Sequence, residues 1–434
     1  MAGRTAAEIA ASLEKRLASG AAKPGDSLPT VRDLARKLGV SPATTAAAYK
    51  LLRSRGLTTG LGRRGTRLAP HSSMPRAAAS YIPEGMVDLA SGNPDPALLP
   101  PLEPALRMAR FDAPALYGGA SADGALLTFA AAEFEADGIP SRATAVIGGA
   151  LDAIDRILRE HLRAGDRVAV EDPSFPGITD LVSASGFVPM PFALDERGPR
   201  PEAVEATLRQ ACHAIVITPR AQNPTGAAID KDRAADLRRV LRRSPDVVLI
   251  ENDYAAPIAG VPIFPLRTGA NERWALIRST SKFLGPDLRV ALMAGDELTV
   301  SRVRGRQALG TRWVSHILQQ LVLALWSDPS SGRRLARAAE IYAQRRQALQ
   351  TALTGEGIAV GARSGFNVWV PLPDEGRVVH ALANRGWAVA AGERFRIRAG
   401  PAIRVTASML EPPDAARFAA DLAEALRPSR STCA

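Results

Sequence analysis

Between Arg278 and Arg289 the chain reads RSTSKFLGPDLR, which sets the hydroxyls of Ser279 and Ser281, the amine of Lys282 and the guanidinium of Arg289 close together. A lysine placed just after a buried strand loses hydration. Its ammonium is then disfavoured, and the neutral amine is the form that attacks a carbonyl. Two hydroxyls and a guanidinium at this spacing can hold a phosphate dianion. An amine nucleophile beside a phosphate cradle suits pyridoxal 5'-phosphate, whose aldehyde forms a Schiff base with lysine. Taken alone, S-x-S-K is a weak pattern, because most such lysines are solvated surface residues.

The elements around this segment supply the missing context. RVAVE at 167–171, HAIVIT at 213–218, DVVLI at 246–250 and WALIRS at 274–279 read as buried strands separated by helical stretches. That alternation predicts an α/β body with a largely parallel sheet. In DVVLIENDY, strand alternation puts Asn252 and Tyr254 on one face and Glu251 and Asp253 on the other.

The front of the chain is different. Of the +11 net charge over 434 residues, +10 lies in residues 1–76, which hold 14 Lys or Arg against 4 Asp or Glu. A compact segment of that charge attracts a polyanion, although a solvated basic face is the plainer alternative. Ile9, Leu13 and Leu17 share a helical stripe, as do Val31, Leu34, Ala35 and Leu38; Gly39 suits a tight turn, and Ser41-Pro42 starts a third helix. GLTTGLGRRGTRLAP then reads as a hairpin with Arg63 and Arg64 at its tip. This is a winged helix-turn-helix plan, with the third helix entering the major groove of double-stranded DNA and the wing reaching phosphates or the minor groove. Two cysteines, Cys212 and Cys433, give neither a disulfide framework nor a metal-ligand spacing, and no apolar run approaches a bilayer's thickness. No metal, no membrane partner and a cytoplasmic location are expected.

PGDSLPTVRDLARKLGVSPATTAAAYKLLRSRGL, residues 24–57, resembles the N-terminal signature of the GntR family of bacterial regulators. The resemblance implies a DNA contact at Arg32 and leaves Thr44, Thr45 and Lys50 as the polar groups of the recognition helix, because Pro42 and Ala46 replace the family's usual polar residues. The rest of the chain resembles the fold-type I aminotransferases, in the order that superfamily keeps. By that likeness GGALDAI at 148–154 is the phosphate-binding turn, with the N–H groups of Ala150 and Leu151 on the anion. EDPSF makes Phe175 the residue stacked on the pyridine ring, NPTG makes Asn223 a hydrogen-bond partner of the phenolic oxygen, and AIRVTAS makes Arg404 the fork for a substrate or effector α-carboxylate. Tyr117, in LYGG, matches a tyrosine that reaches a neighbouring subunit's phosphate, which implies a homodimer.

A GntR-like head on an aminotransferase-like body is the plan of the MocR subfamily of transcription regulators. The expected layout is a winged-helix domain at 1–70, a linker at 71–85, a large pyridoxal phosphate-binding domain at 86–330 and a small C-terminal α+β domain at 331–434. The implied function is a dimeric regulator that binds an operator and senses pyridoxal phosphate or an amine or amino-acid effector, in vitamin B6 or amino-compound metabolism. One departure bears on activity: Asn252 stands where the superfamily pairs a carboxylate with the pyridine nitrogen, so little or no transaminase turnover is expected. An active aminotransferase with a vestigial head is the competing expectation.

Overall fold

Thr5 accepts a hydrogen bond from the Glu8 N–H at 3.2 Å while the Glu8 carboxylate reaches back to the Thr5 N–H, and this reciprocal cap starts α1 (Ala6–Ala18). A computed structural model gives the protein's structure and describes residues 2–19, 21–22, 25–54, 57–60, 66–68, 82–110, 115–267, 269 and 272–427. Thr30 caps α2 (Val31–Leu38), which ends at Gly39 in a left-handed conformation (φ +65°) that glycine adopts without strain. Ser41 Oγ accepts from the Thr44 N–H at 3.0 Å, and α3 (Pro42–Ser54) begins on proline, where the missing N–H has no intrahelical partner to lose. Ile9, Leu13, Leu34, Tyr49, Leu52 and Leu68 close a small core, the last from an antiparallel hairpin of β1 (Thr58–Gly60) and β2 (Thr66–Leu68). The head is therefore a winged helix-turn-helix. The tip of its wing, with Arg63 and Arg64, lies outside the described residues.

The chain forms two units, residues 1–79 with 180–188 and residues 80–179 with 189–434. After the head it runs β3 (Val87–Leu89), α4 (Leu102–Met108), α5 (Gly124–Ala136), β4 (Ala143–Ile147), α6 (Ala150–His161), β5 (Arg167–Asp172), α7 (Pro176–Ala184), β6 (Val188–Asp195), β7 (Gly198–Pro199) and α8 (Pro201–Leu208). Then follow β8 (Cys212–Ile217), α9 (Lys231–Leu241), β9 (Val248–Asp253), β10 (Trp274–Ser279), β11 (Ala291–Gly295), α10 (Glu297–Leu309), α11 (His316–Ser327) and α12 (Pro329–Gly355). The chain closes with β12 (Asn367–Pro371), α13 (Glu375–Ala383), β13 (Trp387–Ala391), β14 (Ala402–Thr406) and α14 (Pro412–Leu426).

The large sheet has the order β4-β11-β10-β9-β8-β5-β6-β7. Neighbours among β5, β8, β9 and β10 pair in parallel, and β11 runs antiparallel to both β10 and β4. Hence β4, β5, β8, β9 and β10 all end at one edge. Helices cover both faces, which is why β9 and β10 are buried at every position and read as continuous rather than alternating runs.

A second sheet, β12-β14-β13-β3, has its own core around Leu89, Val368, Trp387, Ile403 and Phe418. The long helix α12 serves both cores, giving Leu335, Ala338 and Tyr342 to the large one and Leu349 and Leu353 to the small one. Here the expected layout needs correction. The expected large domain at 86–330 takes in residues 87–89, but β3 pairs with β13 and buries Leu89 in the small sheet's core. A three-residue strand has too little apolar pattern to announce which sheet it joins.

Candidate cofactor site

Strands β4, β9 and β10 stop at the shared edge, and the loops that leave them carry most of the predicted site. After β4, Gly149 takes φ +114° and α6 begins at Ala150, so the N–H groups of its first turn, Ala150 and Leu151 among them, have no partner within the helix. Arg289 turns back onto this point: a Cβ on Gly149 would stand 2.9 Å from Arg289 Nη2. Helix terminus and guanidinium thus share one place, which suits an anion. At the end of β10 the Ser281 N–H donates to Ser279 Oγ at 3.4 Å, while Ser281 Oγ is buried with no hydrogen-bond partner among the described residues.

Lys282 follows. Its Nζ donates to the Gly92 carbonyl at 2.7 Å. Burial pushes its amine down to about 8, with the charge of Arg404 adding to the effect. Arg404, on β14, is only 4% exposed and not the surface residue that arginine usually is. It donates to the Ala90 carbonyl and, at 3.4 Å, to Asn223 Oδ1, and its guanidinium lies 4.9 Å from the centre of the Phe395 ring. Its Nε is buried without a partner among the described residues, and burial lowers its pKa to about 10. A cation held this way favours a carboxylate.

On β9, Asn252 and Asp253 have different surroundings. Asp253 accepts from Arg220 Nε at 2.8 Å and from Arg278 Nε at 3.0 Å on the buried face. Burial alone would raise its pKa, but the two guanidiniums outweigh that and hold it below the usual carboxylate range. Asp253 is therefore committed to a structural cluster. Asn252, 6% exposed, has an Oδ1 with no partner among the described residues. Tyr254 donates its hydroxyl to the Ala221 carbonyl.

Phe175 is 38% exposed and its ring covers Gly177, where a Cβ would stand 2.5 Å from Cε1 and 3.0 Å from Leu151 Cδ1. The Phe175 ring and the start of α6 are thus neighbours. Tyr117 is not brought to this cluster within the chain. It is 79% exposed, packs edge-on against Trp313 at 5.5 Å and lies under Arg312 at 5.0 Å.

In the head, Arg32 is exposed and Thr44 is half-buried with its hydroxyl 2.9 Å from Ser41 Oγ. Thr45 corrects the expectation. It is 0% exposed, because it shares with Ala48, Tyr49 and Leu52 the i, i+3, i+4, i+7 stripe that packs into the core, so it offers no surface to a base edge. That spacing was visible in the sequence. The side chain of Lys50 lies outside what is described.

Sequence reasoning missed three contributors. Asp172 accepts the N–H groups of Ile397, Arg398 and Ala399 at 2.7–2.9 Å, tying the Phe175 turn to the segment that carries Phe395. Ala90 and Gly92 supply carbonyls to Arg404 and Lys282. Main-chain carbonyls have no residue signature, and no local signal pointed to either.

A model of class I and II aminotransferases matches residues 84–422, and one of bacterial regulatory proteins of the gntR family matches residues 5–68. The vitamin B6 salvage pathway transcriptional repressor PtsJ of Salmonella typhimurium is 41% identical over 429 residues, 98% of this chain and 99% of that protein. The pyridoxine biosynthesis transcriptional regulator PdxR of Corynebacterium glutamicum is 25% identical, with 80% of this chain and 78% of that one covered. Among solved structures, the α-aminoadipate aminotransferase LysN of Thermus thermophilus superposes with a TM-score of 0.70 at 23% identity, covering 79% of this chain and 92% of that one. A multiple substrate aminotransferase of Thermococcus profundus gives 0.72 at 21%, with the same coverage. These two likenesses show the fold.

Proposed function

The chain belongs to the MocR subfamily of GntR-type transcription regulators, a GntR head on a class I and II aminotransferase body, and from that membership we propose a regulator that reads pyridoxal phosphate through Lys282. The observation that carries the reading is the convergence of buried polar atoms that have no partner among the described residues, Ser281 Oγ and Asn252 Oδ1, with a lysine whose amine is lowered by burial at one sheet edge. Those residues fit the cofactor. Arg289, Ser279, Ser281 and the start of α6 would take its phosphate, Phe175 its ring face, Asn252 its ring nitrogen, and Asn223 and Tyr254 its phenolic side. When bound, the group supplies an aldehyde that condenses with a primary amine and a ring that draws electrons from the attached carbon.

Asn252 limits that chemistry. A neutral amide cannot balance a positive ring nitrogen as a carboxylate does, so the site binds and orients a ligand but turns it over slowly. Arg404 would take an effector's α-carboxylate, Tyr117 would serve the other subunit of a homodimer, and Arg32, Thr44, Lys50, Arg63 and Arg64 would meet the operator. The names of PtsJ and PdxR support genes of vitamin B6 supply as targets. A cytoplasmic site of action follows from a DNA target, and among the described residues no helix is long and apolar enough to cross a membrane.

The test is the visible absorption spectrum with added pyridoxal phosphate. A band above the free cofactor's, lost in Lys282→Ala, is expected; no band in the wild type would overturn the reading. An active aminotransferase is the second reading, favoured by the placement of Lys282, Arg289 and Arg404 together. Asn252→Asp separates the two: a regulator should gain transaminase turnover by at least about tenfold, as restoring one ionic partner in a buried site implies, whereas a working enzyme tuned to Asn should gain nothing.

A further inference from the structure

We infer that the strap Ala90–Gly92 registers whether Lys282 is free or carries the cofactor, through the Lys282–Gly92 hydrogen bond. The inference rests on the preceding reading of Lys282 and names how that site is regulated.

The strap leaves β3 through a tight turn in which Asp88 Oδ1 accepts the N–H groups of Ala90 at 2.9 Å and Ser91 at 2.8 Å. Beyond it the chain is anchored again: Ser408 Oγ donates to the Asn93 carbonyl at 2.7 Å, the Asp95 N–H donates to the Tyr342 hydroxyl at 3.0 Å, and Arg345 pairs with the Asp95 carboxylate at 2.8 Å. Between these anchors two cations hold the strap by its carbonyls, Arg404 at Ala90 and Lys282 at Gly92. Gly92 has φ +69°, a conformation that favours glycine, and a Cβ there would stand 3.0 Å from Arg404 Nη1, so glycine lets the strap lie close against that guanidinium.

One nitrogen thus has two claimants. When Lys282 Nζ condenses with an aldehyde, a carbon–nitrogen double bond forms and the aldehyde oxygen leaves as water with two hydrogens from the amine. At most one hydrogen would stay on Nζ, and the planar nitrogen could no longer turn it freely toward Gly92 as the ammonium does. The carbonyl of Gly92 would then lose its charged donor, and of the two cations only Arg404 would still hold the strap. A ligand that brings an α-carboxylate to Arg404 competes for that second tie. The strap directly follows β3, the first strand after the head in chain order, so a change here falls early in the body's sequence.

The experiment follows amide hydrogen exchange over residues 88–95 in the full-length protein, together with affinity for the tightest duplex selected from a random library. It uses wild type with and without pyridoxal phosphate, loading being read from the visible band, and Lys282→Met and Lys282→Arg with melting curves as the check on folding. Loading should speed exchange in this segment by about tenfold, the worth of one hydrogen bond to a charged group. Lys282→Met, which cannot donate, should show the fast exchange and the loaded protein's DNA affinity with no cofactor present. Lys282→Arg, which keeps a donor, should resemble the unloaded wild type. Exchange unchanged on loading, or Lys282→Met exchanging like the unloaded wild type, overturns the strap. A DNA affinity that responds to cofactor while Lys282→Met tracks the unloaded protein also overturns it and leaves the sensing function standing. Strap exchange that responds while DNA affinity does not upholds the strap and sinks the sensing function instead.

Discussion

At the scale of single residues the site turns on which form of Lys282 is present. An exposed lysine titrates at about 10.4, so at neutral pH almost none of it is the neutral nucleophile. Burial beside Arg404 brings Lys282 to about 8. The depressed value makes the amine reactive as pH rises through about 8, without the need to approach 10. The rate of cofactor capture, read as growth of the visible band in stopped flow, should therefore climb below pH 8 and level above it. A rate still climbing steeply at pH 9.5 would mean that the amine is solvated. The neighbouring pair Asn252 and Asp253 shows how one position in a strand separates two fates. Asp253 is locked by Arg220 and Arg278, whereas Asn252 Oδ1 is buried with no hydrogen-bond partner among the described residues.

Among the elements, that buried cluster pins β9 to β10 and to the loop holding Arg220. Removing one partner of such a cluster leaves buried charge uncompensated, which costs roughly 3–5 kcal/mol. Asp253→Asn should therefore lower the melting temperature by roughly 5–10 °C. It should add no transaminase turnover, unlike the carboxylate placed at 252. A melting temperature unchanged in calorimetry would show that the cluster contributes nothing net. Most elements were legible in the chain: the strand of WALIRS has the bounds its apolar run suggests, and α3 starts at the Ser41-Pro42 signal. DVVLI reads two residues early, because β9 begins at Val248 and continues through the polar Glu251, Asn252 and Asp253. Polar residues do not announce a strand unless their partners, which lie elsewhere in sequence, are known.

For the whole molecule, the concentration of charge in the head predicts binding governed by counterion release. The logarithm of the affinity for a selected duplex should fall linearly with the logarithm of salt, and Arg32→Ala should make the slope shallower by about 1 if that residue meets a phosphate. Fluorescence anisotropy across a salt series checks this, and an unchanged slope would remove Arg32 from the contact set. The sequence alone determined the two-part plan, the place of Lys282 just after a buried strand and the glycine turn at the start of α6. Each depends on local charge, period or spacing that neighbouring residues display. Only the tertiary structure decided that Arg404 is buried against the Ala90 carbonyl and that Lys282 bonds to Gly92, because those contacts join segments far apart in the chain and two of the four partners are backbone atoms common to every residue.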